Sequence, residues 1–249
     1  MHFDEEVRAF QWWLLFRGSP MPNSLVTVQR VWPTEKRMAQ AQKLQSLCVF
    51  CGSQTGSRWE YTRDARALGR ALAERNIRLV YGGGSVGLMN EVSRACKDAG
   101  GSVLGVIPES LVDKEVCGGL GTPTSKFEVN VVDDMAERKT KLADASEAFV
   151  ALPGGFGTLD ELLEMLTWSQ IGLHSKLVGL LNTNAFWSGF TSFIDHANSE
   201  GFIPGNSREL LLLDDNPVSL VDRLASLEPP SSYVAELKRA AANGDGHSD

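Results

Sequence analysis

Residues 78–89 read Arg78-Leu-Val-Tyr-Gly-Gly-Gly-Ser-Val-Gly-Leu-Met89, a short apolar run, a glycine turn and the opening of a second apolar pattern. A run of four bounded by glycines suits a buried strand, and the turn after it is the natural start of a helix. The same order recurs on either side. Leu47–Cys51 runs into Gly52-Ser-Gln-Thr-Gly-Ser57, and Ala148–Leu152 runs into Pro153-Gly-Gly-Phe-Gly-Thr158. Further runs lie at Val103–Ile107, Phe127–Val132 and Leu177–Leu181, with a shorter one at Leu210–Leu213 and a helical pattern near 217–226. Between the first two runs, Tyr61, Ala65, Leu68 and Leu72 recur at helical spacing. Strands rich in Val, Leu and Ile, alternating with helices, predict a Rossmann-like, doubly wound α/β fold. Its sheet should be mainly parallel, with helices on both faces.

The ends of the chain break this pattern. Residues 1–46 carry three of the six tryptophans and read as an N-terminal helical extension, with helical pieces around 4–16 and 34–46. The α/β domain is expected over 47–228, followed by a C-terminal helix and flexible tail at 229–249. Phe10, Trp12, Trp13, Leu14, Leu15 and Phe16 are too apolar to lie bare in water. They are expected to cover a surface patch and build a larger assembly.

Net charge is −7, with no basic block, so nothing here has the electrostatic footprint of a nucleic-acid binder. The longest apolar run is too short to cross a membrane, and acidic Asp4, Glu5 and Glu6 stand where a signal peptide needs positive charge. A cytoplasmic location is expected. Cys48 and Cys51 form a C-x-x-C, but three residues apart on a strand they should point to opposite faces. The four cysteines and four histidines show no spacing typical of zinc ligands.

Ligands of open α/β sheets bind beyond the carboxyl ends of the strands, where the three glycine turns fall. Glycine lets backbone approach a ligand, and a following helix N-terminus offers free amides, so a phosphate is the expected occupant. Gly82–Gly87 satisfies G-x-G-x-x-G, with Glu109 at the distance of a ribose-binding acid. A nicotinamide-dependent oxidoreductase is therefore a competing reading, weakened because the motif follows the second strand. No G-K-[ST] follows any glycine turn, which excludes a P-loop.

Two charged residues stand out. Met135, Arg138 and Leu142 are spaced three and four apart, which puts Arg138 on the apolar stripe of a helix starting near Asp134. An arginine there needs an anion, either a ligand or a carboxylate. Glu161 falls beside the third glycine turn. Thr158 and Glu161 also fit a capping box, with Thr158 as N-cap and Glu161 reaching back.

Pro153-Gly-Gly-Phe-Gly-Thr-Leu-Asp-Glu161 resembles the PGGxGTxxE motif of the LONELY GUY-type cytokinin-activating phosphoribohydrolases, formerly labelled possible lysine decarboxylases. Met135-Ala-Glu-Arg-Lys139 is similar to the M-x-x-R-K of that family, and Gly82-Gly-Gly-Ser-Val-Gly-Leu-Met89 to its second glycine segment. The resemblance covers roughly residues 45–226. It implies hydrolysis of prenylated adenine nucleoside 5′-monophosphates, with AMP as a further substrate, to free base and ribose 5-phosphate. It implies no metal or cofactor, and a homodimer or larger homo-oligomer. Arg138 and Glu161 would be the catalytic pair. Ser53, Gly83, Gly84, Met89, Lys139, Gly154, Gly155, Gly157 and Thr158 would hold phosphate and substrate. Ala136 stands where the family often has His or Asn, and Asn90 where it often has Gly, both expected near the nucleotide. A non-catalytic nucleotide or cofactor carrier on the same fold is the other competing reading, against which the presence of both Arg138 and Glu161 speaks.

Overall fold

The computed structural model describes residues 44–116, 123–203 and 210–227. The expected extension over 1–46 therefore lies almost wholly outside the described residues, as does the C-terminal segment 229–249.

Within the described residues the apolar runs form seven strands: β1 (Ser46–Phe50), β2 (Arg78–Tyr81), β3 (Val103–Pro108), β4 (Phe127–Val132), β5 (Ala148–Ala151), β6 (Val178–Leu181) and β7 (Leu211–Asp214). They make one sheet in the order β4-β3-β2-β1-β5-β6-β7. Every neighbouring pair is parallel. Seven α-helices accompany them: α1 (Trp59–Glu74), α2 (Gly87–Asp98), α3 (Glu109–Glu115), α4 (Met135–Asp144), α5 (Phe156–Gln170), α6 (Ser188–Ser199) and α7 (Pro217–Ser226). The expected boundaries hold to within a residue or two, except that α5 opens at Phe156, ahead of Thr158.

Strand alternation divides the apolar residues between two cores. Leu47 and Val49 of β1 join Leu68 and Leu72 of α1, Val92 of α2 and Leu220 of α7 on one face. Cys48 and Phe50 join Leu142 of α4, Leu162 and Met165 of α5 and Trp187 on the other. Each fully buried side chain of this size contributes roughly 1.5–3 kcal/mol of transfer free energy. Cys51 packs on the face opposite Cys48, as strand geometry requires, and both thiols are free. No helix among the described residues is long and apolar enough to cross a membrane.

Because every strand is parallel, all carboxyl ends lie on one edge. Chain order runs outward from β1 through β2 and β3 to β4, then resumes with β5 on the other side of β1. That reversal opens a crevice between the β1 and β5 turns, the usual ligand position on such a sheet.

Candidate active site

The three glycine turns meet at Gly52. Its amide donates to Pro153 O at 3.1 Å, and its carbonyl accepts from Leu88 N at 3.0 Å. A Cβ on Gly154 would stand 2.1 Å from Thr158 Oγ1 and 2.9 Å from Gly52 N, so only glycine lets the β5 turn close against the β1 turn.

The N-cap of α5 is Gly155, with no side-chain cap. Phe156, Gly157 and Thr158 form the first helical turn, where amides have no intrahelical carbonyl to bond. A Cβ on Gly155 or Gly157 would meet nothing within 4 Å, so the turn is open to a ligand. The expected capping box is not there. Thr158 lies inside the helix and is buried, and Glu161, a further turn along, points at Arg138 instead of back to the cap. A cap of this kind forms on α4, where Asp134 Oδ1 accepts from Glu137 N at 2.8 Å and Glu137 Oε2 accepts from Asp133 N at 3.0 Å. The G-x-G-x-x-G turn has less to offer an anion, because Ser85 N donates to Glu115 O at 2.7 Å and Leu88 N to Gly52 O.

Beneath the α5 turn, Arg138 Nη2 lies 3.1 Å from Glu161 Oε1, both side chains about nine-tenths buried. Arg138 Nη1 also reaches Met135 Sδ at 3.7 Å, while its buried Nε has no hydrogen-bond partner. Burial pushes the Glu161 carboxyl up to about 7; Arg138 opposes the shift, and the negative charges of Asp160 and Glu115 add to it. The result is a carboxylate whose proton affinity lies near neutral pH, held against a cation with donors to spare.

A cavity of about 170 Å³ opens onto this pair, lined by residues that include Ser53, Met89, Gly155, Gly157 and Thr158 among the expected contacts, with Gly82, which was not expected, beside them. Gly83, Gly84 and Gly154 lie behind that lining, within the turns. Lys139 is also outside it, with Nζ 2.9 Å from Asp160 and 3.1 Å from Glu164. Ala136 and Asn90 do not line it either, so their departure from the family pattern falls away from the cavity wall. The sequence reading missed Glu115, Asp160, Phe156 and Cys51, all in the lining. Phe156 was legible as the variable position of the glycine motif, but nothing in the sequence marks Glu115.

Gly82 borders the pair from the turn just after β2. A Cβ there would fall 2.2 Å from Arg138 Nη2, against the movable end of a side chain. Gly82→Ala is therefore expected to fold normally while pushing the guanidinium off Glu161. A misplacement of about 1 Å can cost on the order of 100-fold in rate. Thermal melting beside single-turnover rates checks this, and an unimpaired rate would show that the guanidinium position is not critical.

Fold and site together define a Rossmann-like α/β protein with an anion-suited glycine turn over a buried arginine–glutamate pair. Residues 89–224 match the family described as "Possible lysine decarboxylase". Cytokinin riboside 5′-monophosphate phosphoribohydrolase LOG3 of Arabidopsis thaliana is 46% identical over 196 residues, covering 79% of this chain and 89% of that protein. Cytokinin riboside 5′-monophosphate phosphoribohydrolase LOG of Oryza sativa subsp. japonica is 48% identical over 187 residues, 75% of each chain. The chain belongs to this LONELY GUY-type family, to which the older decarboxylase label is attached. Among solved structures, the molybdenum cofactor carrier protein from Chlamydomonas reinhardtii shares the fold at 20% identity and a TM-score of 0.52, over 80% of this chain and 98% of that one. The molybdenum cofactor binding protein from Rippkaea orientalis does so at 21% identity and 0.52, over 82% and 99%.

Proposed function

We propose that the chain hydrolyses the N-glycosidic bond of adenine nucleoside 5′-monophosphates, prenylated ones foremost, releasing the free base and ribose 5-phosphate. The observation that carries this reading is the buried Arg138–Glu161 pair directly beneath the uncapped N-terminus of α5. Relatives whose names state this activity, at nearly half identity, support it.

In this reading each part of the substrate has a place. The 5′-phosphate sits on the amides of Phe156, Gly157 and Thr158, where the helix dipole and the unbonded N–H groups favour an anion. With the phosphate fixed, the ribose is held over Glu161. As the bond from C1′ to the base nitrogen breaks, positive charge builds on the ribose, as in glycoside hydrolysis. The Glu161 carboxylate stabilises that charge and takes a proton from the water that attacks C1′; the departing base nitrogen takes up a proton in turn, so the carboxylate is restored and the base leaves neutral. Arg138 holds Glu161 through Nη2, and as part of the cavity lining it sets a positive charge beside the departing base. Assembly of two or more copies, implied by the resemblance, fits the exposed Leu163 and Leu173 on and just beyond α5.

The pH profile tests the role of Glu161. The working form is the carboxylate, so kcat/KM is expected to rise through about pH 7 and to fall about tenfold per unit below it. A nucleotide phosphate also titrates, near pH 6. The two are separated by Asp160→Asn, which removes a charge that raises the Glu161 carboxyl and should move the acid limb down. A limb that ignores this substitution belongs to the substrate, and Glu161 is then not the titrating base.

A further inference from the structure

Two consecutive residues of α4 engage α5. Arg138 meets Glu161 at the floor of the cavity, and Lys139 reaches Asp160 at 2.9 Å and Glu164 at 3.1 Å. Asp160 and Glu164 are one helical turn apart and so share a stripe, while Glu161 is the next residue round the helix. The contacts therefore form a two-rung ladder. Sliding or rotating α4 against α5 would break both rungs together.

The outer rung is well placed to hold that register. The Lys139 side chain is only 16% exposed, so its ammonium is shielded and committed to two carboxylates. It does not line the cavity. An ammonium bound to a substrate phosphate would have to leave both partners. α4 also packs on the sheet through Leu142 and Ala143 at its far end.

Resting on the hydrolase reading above, we propose that Lys139 is a positioning residue: its bridge to Asp160 and Glu164 locks α4 to α5 in the register at which Arg138 meets Glu161. The bridge also offsets part of the charge of Asp160, a like charge beside Glu161. Facing Glu161 are Arg138 and Lys139 from α4, Asp160 from α5, Glu115 from α3, and the thiols of Cys48 and Cys51 from the β1 side. Loss of Lys139 removes one cation from this set and frees one anion. Both changes favour the protonated form of Glu161.

The test compares Lys139→Met and Lys139→Arg with the wild-type chain, using a prenylated adenosine 5′-monophosphate and following base release. Lys139→Met is expected to lower kcat on the order of 10- to 100-fold with KM close to wild type, and to move the acid limb of the profile upward. Lys139→Arg, whose fork can still span two carboxylates, is expected to recover most of the rate. A raised KM with the acid limb in place, or an arginine variant as slow as the methionine one, would overturn the proposal in favour of a direct phosphate contact. The wild-type rate tests the hydrolase reading separately. Should that rate be nil, the clamp is read from melting temperatures of Lys139→Met, Glu164→Gln and the double variant. A double variant less damaged than the sum of the singles supports it, and simple additivity overturns it.

Discussion

Glu161→Gln is expected to lower kcat by at least about 100-fold, within the range lost with a general acid–base group, while the fold survives. The glutamine keeps the volume of the side chain between Arg138 and the cavity, and it leaves an oxygen for the guanidinium. What it loses is the negative charge that must face the ribose and the lone pair that takes the proton. The pair acts as a unit, so a double variant with Arg138→Ala should be scarcely slower than the slower single variant. Stability gives an independent check. The folded carboxyl is raised above its ordinary value, so its contribution is full at low pH and is lost as pH rises through about 7. Wild-type protein should therefore lose stability relative to Glu161→Gln between pH 5 and pH 8. A glutamine variant that melts normally and turns over at the wild-type rate would reduce Glu161 to a structural partner of Arg138.

Removing the 5′-phosphate from the substrate is expected to cost on the order of 10³-fold or more in kcat/KM. The first-turn amides of α5 have no side-chain cap, and a nucleoside brings no anion to bond them. Sites built around a polar group reject analogues that lack it, because their own groups are then left unpaired. The loss should fall on kcat as well as KM, since the phosphate grip is what holds C1′ over Glu161. Comparing adenosine with AMP, and the prenylated pair likewise, measures this directly. Equal kcat/KM for nucleoside and nucleotide would place the glycine turn outside the reaction.

The fold was legible because strand burial and glycine turns are local signals. Leu47–Cys51 and Arg78–Tyr81 can be read without knowing their neighbours. The sheet order is different: that β5 lies beside β1, bringing Pro153 to Gly52, is set by long-range pairing that no local pattern encodes. Arg138 betrayed itself by standing on an apolar stripe, where a cation needs a partner. Glu161 looked like a capping residue because the sequence alone does not show that glycine, with no side chain to accept from the first-turn amides, is the N-cap of α5. Lys139, expected at the substrate from resemblance, faces two carboxylates whose proximity depends on how α4 crosses α5. Glu115 was invisible for the same kind of reason. It sits at the end of a short helix with no buried residues, and it reaches the cavity because β3 pairs with β2 and Ser85 N binds its carbonyl.

The most direct measurement is product analysis. The purified protein is incubated with a prenylated adenosine 5′-monophosphate, and free base, nucleoside, inorganic phosphate and ribose 5-phosphate are quantified over time. Free base and ribose 5-phosphate are expected in equal amounts, with no nucleoside and no inorganic phosphate. Nucleotide that binds and is recovered intact would make the protein a carrier, and nucleoside with inorganic phosphate would make it a phosphatase. Either result contradicts a site built to break the bond between base and ribose.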